Sequence, residues 1–379
     1  MIRADALPGK PLAIFVAACF AGAELARLVA EPMAPSSMSA FWFPTGVLVA
    51  ALLLAEARRW AAFVLTASGA MLVSMTLVHG HPLIPSLVVS VMSGVDACVT
   101  AWLVRRTVGP AFALDRVPHA LALVICAIGA PAIGGLVASG LLVNTGTLPV
   151  MSVWRGWWLA EAIGILIAAP LAIAAVTDRQ SFFKAARSWK ALEVAIVLTA
   201  GAFLAEGIFA GTVDPLVRVP AYILPFLLWP VFRFGPFGAS FASLILSFIA
   251  LWHAGLGQGP WATPGELNLV LRAQGGVAIA SISILLLASV VAERKRVAHE
   301  RGILVAELQI ALAEIKTLRG FIPICAWCHK VRDDAGFWQQ LEMYLDARTD
   351  ATFSHGICPS CAEEQHEELT PPQVSGRPS

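Results

Sequence analysis

Two cysteine pairs carry the clearest chemistry in the chain, Cys325-Ala326-Trp327-Cys328 and Cys358-Pro359-Ser360-Cys361, with 29 residues between them. Two C-x2-C pairs offer four soft thiolates able to close a tetrahedron, and zinc is the usual occupant of such a set. A structural metal also suits a module too small to build a large core of its own. A disulfide framework does not fit a reducing cytoplasm. His355, three residues before Cys358, is an alternative fourth ligand, and an iron–sulfur or redox-switch site is the competing use of the same thiols. Cys325-Ala326-Trp327-Cys328-His329 also fits the c-type haem attachment pattern. That attachment takes place outside the cytoplasmic membrane, whereas the loop charges described below put this segment inside, and haem would leave the second pair unexplained. Cys19, Cys98 and Cys126 stand singly in apolar stretches and read as small apolar side chains.

A second set of candidates consists of ionisable residues inside long apolar runs: Glu24, Arg27, Asp96, Glu161 and Glu206. Such groups are costly in a bilayer and face a bundle interior or a wet cavity. Glu24 and Arg27, at i and i+3 on one helix, can pair with each other. Asp96 and Glu161 have no cation beside them in sequence. Each must be protonated, paired across helices with a residue such as Arg27 or Arg155, or exposed to water. Trp157 and Trp158 read first as interfacial anchors. Yet Trp42, Trp154, Trp158 and Glu161 all belong near one boundary of the apolar region. An outward-facing ligand pocket there would draw on Trp42, Pro44, Trp158 and Glu161, with Arg27 and Asp96 as further candidates.

The elements that must position these residues are spanning helices. The 379 residues are 58% hydrophobic and 13% charged, with a mean hydropathy of +0.75, against about 25% charge in an ordinary soluble domain. The charge is concentrated from Arg294 onward, so a membrane domain over 1–292 and a soluble end are expected. A span needs about 20 mostly apolar residues. The expected fold is an all-α polytopic membrane protein of about ten such helices, near 11–30, 43–57, 60–78, 83–104, 119–143, 154–176, 190–210, 219–233, 236–253 and 271–292. The second and eighth are short. Lys and Arg cluster in alternate loops (Arg58, Arg59, Arg105, Arg106, Arg179, Lys184, Arg233, Arg294) and are scarce in the others, which places both termini in the cytoplasm. The first apolar stretch carries Glu24 and Arg27 and lacks a small-residue cleavage site, so it reads as a signal anchor. The net charge of +1, with no concentrated basic face, argues against a nucleic-acid partner. A faint repeat relates Pro44 through His79 to Pro225 through His253. Repeats of that kind occur in transporters, which makes a small-molecule carrier with a regulatory zinc tail the alternative function.

Several separated motifs point further: Phe41-Trp42-Phe43-Pro44-Thr45-Gly46, the segment WWLAEAIGILIAAPL from Trp157, RFGPFG from Arg233, GQGP from Gly257, and AERKR ending at Arg296. Together they resemble the membrane-associated sensor domain of bacterial signalling proteins, the first-described type of the MASE group, over about 10–295. Phe43 stands where that family often has a second proline, and Glu161 where an aspartate is common. The resemblance implies an input module in the bacterial inner membrane that passes a signal to a cytoplasmic output.

Residues 293–319 should form a cytoplasmic signalling helix. Val297, Leu304, Leu308, Ala311, Ile315 and Leu318 make an a/d seam of about three heptads, which suits a parallel coiled coil and hence a homodimer through 297–318. The alternative is a single amphipathic helix docking on its own soluble end. Residues 320–365 are expected to form a zinc-ribbon-like module with four cysteine ligands. They resemble a short tail found at the end of bacterial sensor and receiver proteins, PICxxC followed by FSHGICPxC, in which lysine is usual where His329 stands. The acidic end, 366–379, is expected to be disordered. The chain shows no glycine-rich ATP lobe, no GGDEF-type cyclase signature and no phosphodiesterase motif, so no catalytic activity is expected. His299-Glu300-Arg301 reads as juxtamembrane charge. Output would then require a separate cytoplasmic signalling protein.

Overall fold

The computed structural model describes residues 10–30, 40–142, 149–177, 189–216, 218–261, 269–314, 322–333, 335–349 and 352–368. It forms two compact units, Met1–Ala298 and His299–Ser379. Among the described residues the regular elements of the first are helices: α1 (Lys10–Ala30), α2 (Phe43–Leu54), α3 (Trp60–Val73, ending in a π turn at Ser74–Val78), α4 (Leu83–Val108), α5 (Val117–Leu142), α6 (Val150–Thr177), α7 (Trp189–Ala210), α8 (Leu224–Gly255) and α9 (Leu269–Glu314), the last continuing into the second unit. Among the described residues, seven helices are long and apolar enough to cross a membrane.

Three of the ten expected stretches are not counted separately among these seven. Of α1, the side chains described begin at Ala13. α2 has 12 residues and rises about 18 Å, little more than half of a hydrocarbon core about 30 Å thick. The two stretches expected at 219–233 and 236–253 are both helical, as the two arms of α8 that meet at Gly235, and Pro220–Gly255 counts once among the seven. A Cβ on Gly238 would come within 2.6 Å of the Pro230 carbonyl oxygen, although eight residues of straight helix would separate them by about 12 Å. The chain therefore doubles back at Gly235, whose φ of 59° and ψ of −144° lie in a region essentially open to glycine alone. Gly235→Ala should cost about 1–3 kcal/mol and lower the thermal midpoint of the purified protein by roughly 5 °C. An unchanged midpoint would show that this turn is not formed as described.

α6 is the hub. From Ala160 to Pro170 every residue is buried, and the helix contributes Ile165, Leu166 and Ala169 to one apolar cluster with α2, α4 and α5. On its other side Ile163, Ile167 and Ala168 join a second cluster with α7, α8 and α9. Small residues allow this: α6 meets α2 backbone to backbone, since a Cβ on Gly46 would stand 2.3 Å from the Gly164 carbonyl oxygen. Close approach at small residues is how apolar helices associate in a medium as apolar as their own side chains.

In the second unit, β1 (Val331–Arg332) pairs antiparallel with β2 (Trp338–Gln339), followed by α10 (Leu341–Asp346) and α11 (Pro359–Glu368). The tail expected to be disordered from 366 thus begins inside a helix that runs to Glu368. Pro359 opens this helix, where its fixed φ suits the first turn, and Ala362-Glu363-Glu364-Gln365 are good helix formers. Residues 369–379 lie outside those described. α9 continues as helix to Glu314, and its side chains at Leu304 and Leu308 are 56% and 55% exposed. Ile315 and Leu318 of the expected seam lie outside the described residues.

Candidate functional site

The site is built where α2 begins. Pro44 sits in the first turn of α2, so the segment leading into it, Ala40 to Trp42, is non-helical backbone within the protein. Such backbone is tolerated at membrane depth only where protein satisfies it. Here Trp42 donates its backbone N–H to the Ala160 carbonyl on α6 (3.0 Å). The Gln274 side-chain amide on α9 donates to the Ala40 carbonyl (2.7 Å). Gly164 keeps the path open, since a Cβ there would lie 2.0 Å from the Trp42 carbonyl oxygen. The FWFPTG opening is therefore a half-length helix whose entry segment is pinned against α6 and α9.

Beside it lie two carboxyls. Glu161 on α6 is 2% exposed and Asp96 on α4 is 1% exposed. Ser93 donates its hydroxyl to Glu161 Oε1 (2.6 Å), and the Trp157 indole N–H donates to Asp96 Oδ2 (3.1 Å). Asp96 is close enough to act on Glu161 electrostatically, and the Thr45 hydroxyl is a further neighbour of Glu161. Gly134 on α5 makes room for Asp96, because a Cβ there would stand 1.8 Å from Oδ1. Among the described residues neither carboxyl has an ion-pair partner and both are buried, so of the three alternatives read from sequence neither pairing with Arg27 or Arg155 nor exposure to water is what the structure shows. Glu161 Oε2, Thr45 Oγ1, Gln274 Oε1 and Trp42 Nε1 are all buried without a hydrogen-bond partner among those residues. Buried polar atoms are ordinarily satisfied, and a carboxyl pair without a counter-charge is among the costliest arrangements in a bilayer.

The candidates read from sequence divide accordingly. Trp42, Pro44, Asp96 and Glu161 are brought together. Trp158 stacks on Trp154 (5.2 Å between ring centroids) and donates its indole N–H to the Ile128 carbonyl on α5 (2.8 Å); its neighbour Trp157 is the one that reaches the carboxyls. Arg27 pairs with Glu24 at 3.4 Å, as the i,i+3 spacing suggested. Glu206 is not buried: its side chain is 56% exposed and lies 3.0 Å from His253, four residues before α7 ends. Sequence reading passed over Ser93 and Thr45. Ser93, three residues before Asp96, shares its helix face, and that i,i+3 spacing was the available signal.

α9 joins this region to the arginine-rich side of the domain. Nineteen residues beyond Gln274, Glu293 accepts a hydrogen bond from the Val117 backbone N–H (2.9 Å). Arg296 lies 3.3 Å from Asp115, and Lys295 donates to the Phe232 carbonyl beside the Gly235 turn (2.8 Å). The AERKR motif is thus a collar that ties the exit of the last helix to the α4–α5 and α8 turns.

In the second unit, Cys325 and Cys328 flank a tight turn. The Cys325 carbonyl accepts from the His329 N–H (3.0 Å), and the Cys325 N–H donates to the Lys330 carbonyl (2.8 Å), with His329 left-handed at φ 55°. Backbone hydrogen bonds from Cys328 and Trp327 lower the Cys325 thiol pKa. Cys358 precedes α11, and its thiol is brought down to about 7, first by the Ser360 hydroxyl and then by the Cys361 N–H. One thiol of each pair is thus shifted toward the thiolate, the form that binds metal. Among the described residues no three His, Cys, Asp or Glu side chains are gathered closely enough to hold an ion, so the two pairs stand as separate halves of the expected four-ligand set. His355 is exposed and joins neither half.

A search of curated proteins and a search of solved structures each found no match. The family model of MASE1 matches residues 11–295, a span that runs from α1 into the α9 collar, and the chain belongs to this family of membrane sensor domains of bacterial signalling proteins.

Proposed function

We propose that the protein is an inner-membrane sensor, with both termini cytoplasmic, in which a stimulus at the Trp42–Asp96–Glu161 site is relayed along α9 to its cytoplasmic end and thence to a separate signalling protein. The observation that carries this reading is the double attachment of α9. It holds the entry segment of α2 through Gln274, and it holds the α4–α5 turn through Glu293 and Arg296. A change at the carboxyl site has a rigid helix through which to act, about 28 Å long between these points. The ligand this site would take carries positive charge or hydrogen-bond donors, because its unpartnered atoms are mostly oxygens. The exposed Leu304 and Leu308 supply the seam of a homodimer through 297–318, and the two cysteine pairs close on one zinc ion to form the end module. No catalytic role is assigned to the chain itself.

Crosslinking of the full-length chain in its native membrane tests the relay. The expected partner carries a kinase, cyclase or phosphodiesterase domain, and crosslinked chains should run as dimers that Leu304→Asp/Leu308→Asp abolishes. The partner's activity should shift severalfold on Glu161→Gln. Substrate-dependent flux in proteoliposomes, with no such partner recovered, would make the protein a carrier instead. A partner whose activity ignores Glu161→Gln would remove that residue from the stimulus site.

A further inference from the structure

The faint repeat in the sequence becomes two matching constellations in three dimensions. In the first, α1 carries Glu24, the short α2 reverses the chain, and α3 returns to His79. In the second, α7 carries Glu206, the short arm of α8 reverses the chain at Gly235, and the long arm returns to His253. Pro44 follows Glu24 by 20 residues and Pro225 follows Glu206 by 19. Arginines mark the far end of each short helix, Arg58 and Arg59 in one and Arg233 in the other. In each unit the glutamate meets the histidine. His79 Nε2 lies 2.8 and 3.0 Å from the two oxygens of Glu24, and His253 Nε2 lies 3.0 Å from Glu206 Oε1. The alternation of helices puts both pairs at the face opposite the arginines.

We infer that Glu24–His79 and Glu206–His253 are two equivalent proton-binding sites, produced by internal duplication, in which the bound proton clasps the first helix of each unit to the third. They are separate from Asp96 and Glu161. The hydrogen-bond chemistry is most explicit at His253. Its Nε2 faces a carboxylate and its Nδ1 faces the Gln258 side-chain oxygen at 2.8 Å. With the Gln258 oxygen turned toward Nδ1 both partners are acceptors, and the doubly protonated imidazolium donates to each. Taking up a proton from the medium completes the second bond; losing it leaves one nitrogen facing an acceptor and frees either the Gln258 loop or Glu206. At the first site Glu24 accepts from His79, from the Ser74 hydroxyl (2.9 Å) and from Arg27. Histidine in general is the side chain whose charge change falls between about pH 5 and 8.

A metal ion fits these sites less well, because no group of three suitable ligands is gathered among the described residues. The other charged or titratable groups set against His79 are Arg27, from α1, and His81 from its own loop, the two imidazole centroids standing 6.5 Å apart. Against His253 the charged group in described contact is Glu206, from α7. Both sites are open to protons: Glu206 is largely exposed although His253 is only 7% exposed, and Glu24 and His79 are partly exposed.

Hydrogen–deuterium exchange on the full-length chain in lipid nanodiscs, from pH 5.5 to 8.5 and corrected for the intrinsic pH dependence of exchange, tests this. Peptides covering 70–82 and 250–260 should lose protection together as pH rises through the histidine range, by about tenfold, the weight of one charge-assisted hydrogen bond. His79→Gln should abolish the response in the first segment only, and His253→Gln in the second only. Glu24→Gln and Glu206→Gln, which keep the side-chain shape, should act in the same segment-specific way. Protection that ignores pH, or a response that survives these substitutions, would overturn the proposal. A response confined to one segment would overturn the equivalence of the two sites.

Discussion

Gly164→Ala is expected to be the most damaging single-methyl change in the membrane domain. The added carbon would stand 2.0 Å from the Trp42 carbonyl oxygen and 2.5 Å from its carbonyl carbon, well inside any real carbon contact. The obstacle is backbone, which cannot rotate away as a long side chain would. It is also backbone held on both flanks, by the Trp42 N–H on Ala160 and by Gln274 on Ala40. Overpacking of a close-packed interior typically costs 1–3 kcal/mol and more where nothing yields, so a loss of about 3 kcal/mol is expected here. In thermal unfolding of the purified protein this should lower the midpoint by about 10 °C, or prevent accumulation in the membrane altogether. Gly129→Ala is the matched control, because a Cβ there meets nothing within 4 Å. If the two variants unfolded at the same temperature, the entry segment of α2 would not be packed on α6 as described.

The second large effect is expected at the cysteine pairs. Purified full-length protein should carry about one zinc per chain, the stoichiometry of a closed four-thiolate site, and should be colourless. Cys325→Ser/Cys358→Ser, which breaks one ligand from each pair, should reduce the metal to near zero. His355→Ala should leave it intact if the four thiolates are the ligands, and this separates the two ligand sets that the sequence allows. The local geometry favours thiolate at both ends of the module: backbone donors stabilise Cys325 and the Ser360 hydroxyl stabilises Cys358. Elemental analysis with an absorbance spectrum decides the matter. A coloured iron or haem species would overturn the zinc assignment and move redox chemistry into the soluble unit.

Local composition was enough to place the helices. A spanning helix satisfies its own backbone and needs only a sufficient apolar run, so the stretches at 83–104, 119–143 and 154–176 reappear as α4, α5 and α6 with modest extensions. The exception is also local in origin: α2 is too short to span. The arms of α8 meet at Gly235, inside the RFGPFG segment that separates the two stretches read from sequence. The i,i+3 pair of Glu24 and Arg27 was legible for the same reason, since one turn of helix brings them together.

What only the tertiary structure decided is which helices meet. Ser93 and Glu161 are 68 residues apart, and Trp157 and Asp96 are 61 apart. Their encounters depend on where small residues let backbones approach. Gly46, Gly134 and Gly164 set those points, yet in sequence they look like the other glycines of an apolar helix. The same holds for the two histidines. His79 and His253 sit at the ends of helices and in sequence suggest no partner; folding hands each a glutamate from two helical segments earlier. Apolar runs specify that helices form because the bilayer rewards internal hydrogen bonding. Their order against one another is specified by the shape of the faces they present, and that shape exists only once the helices are packed.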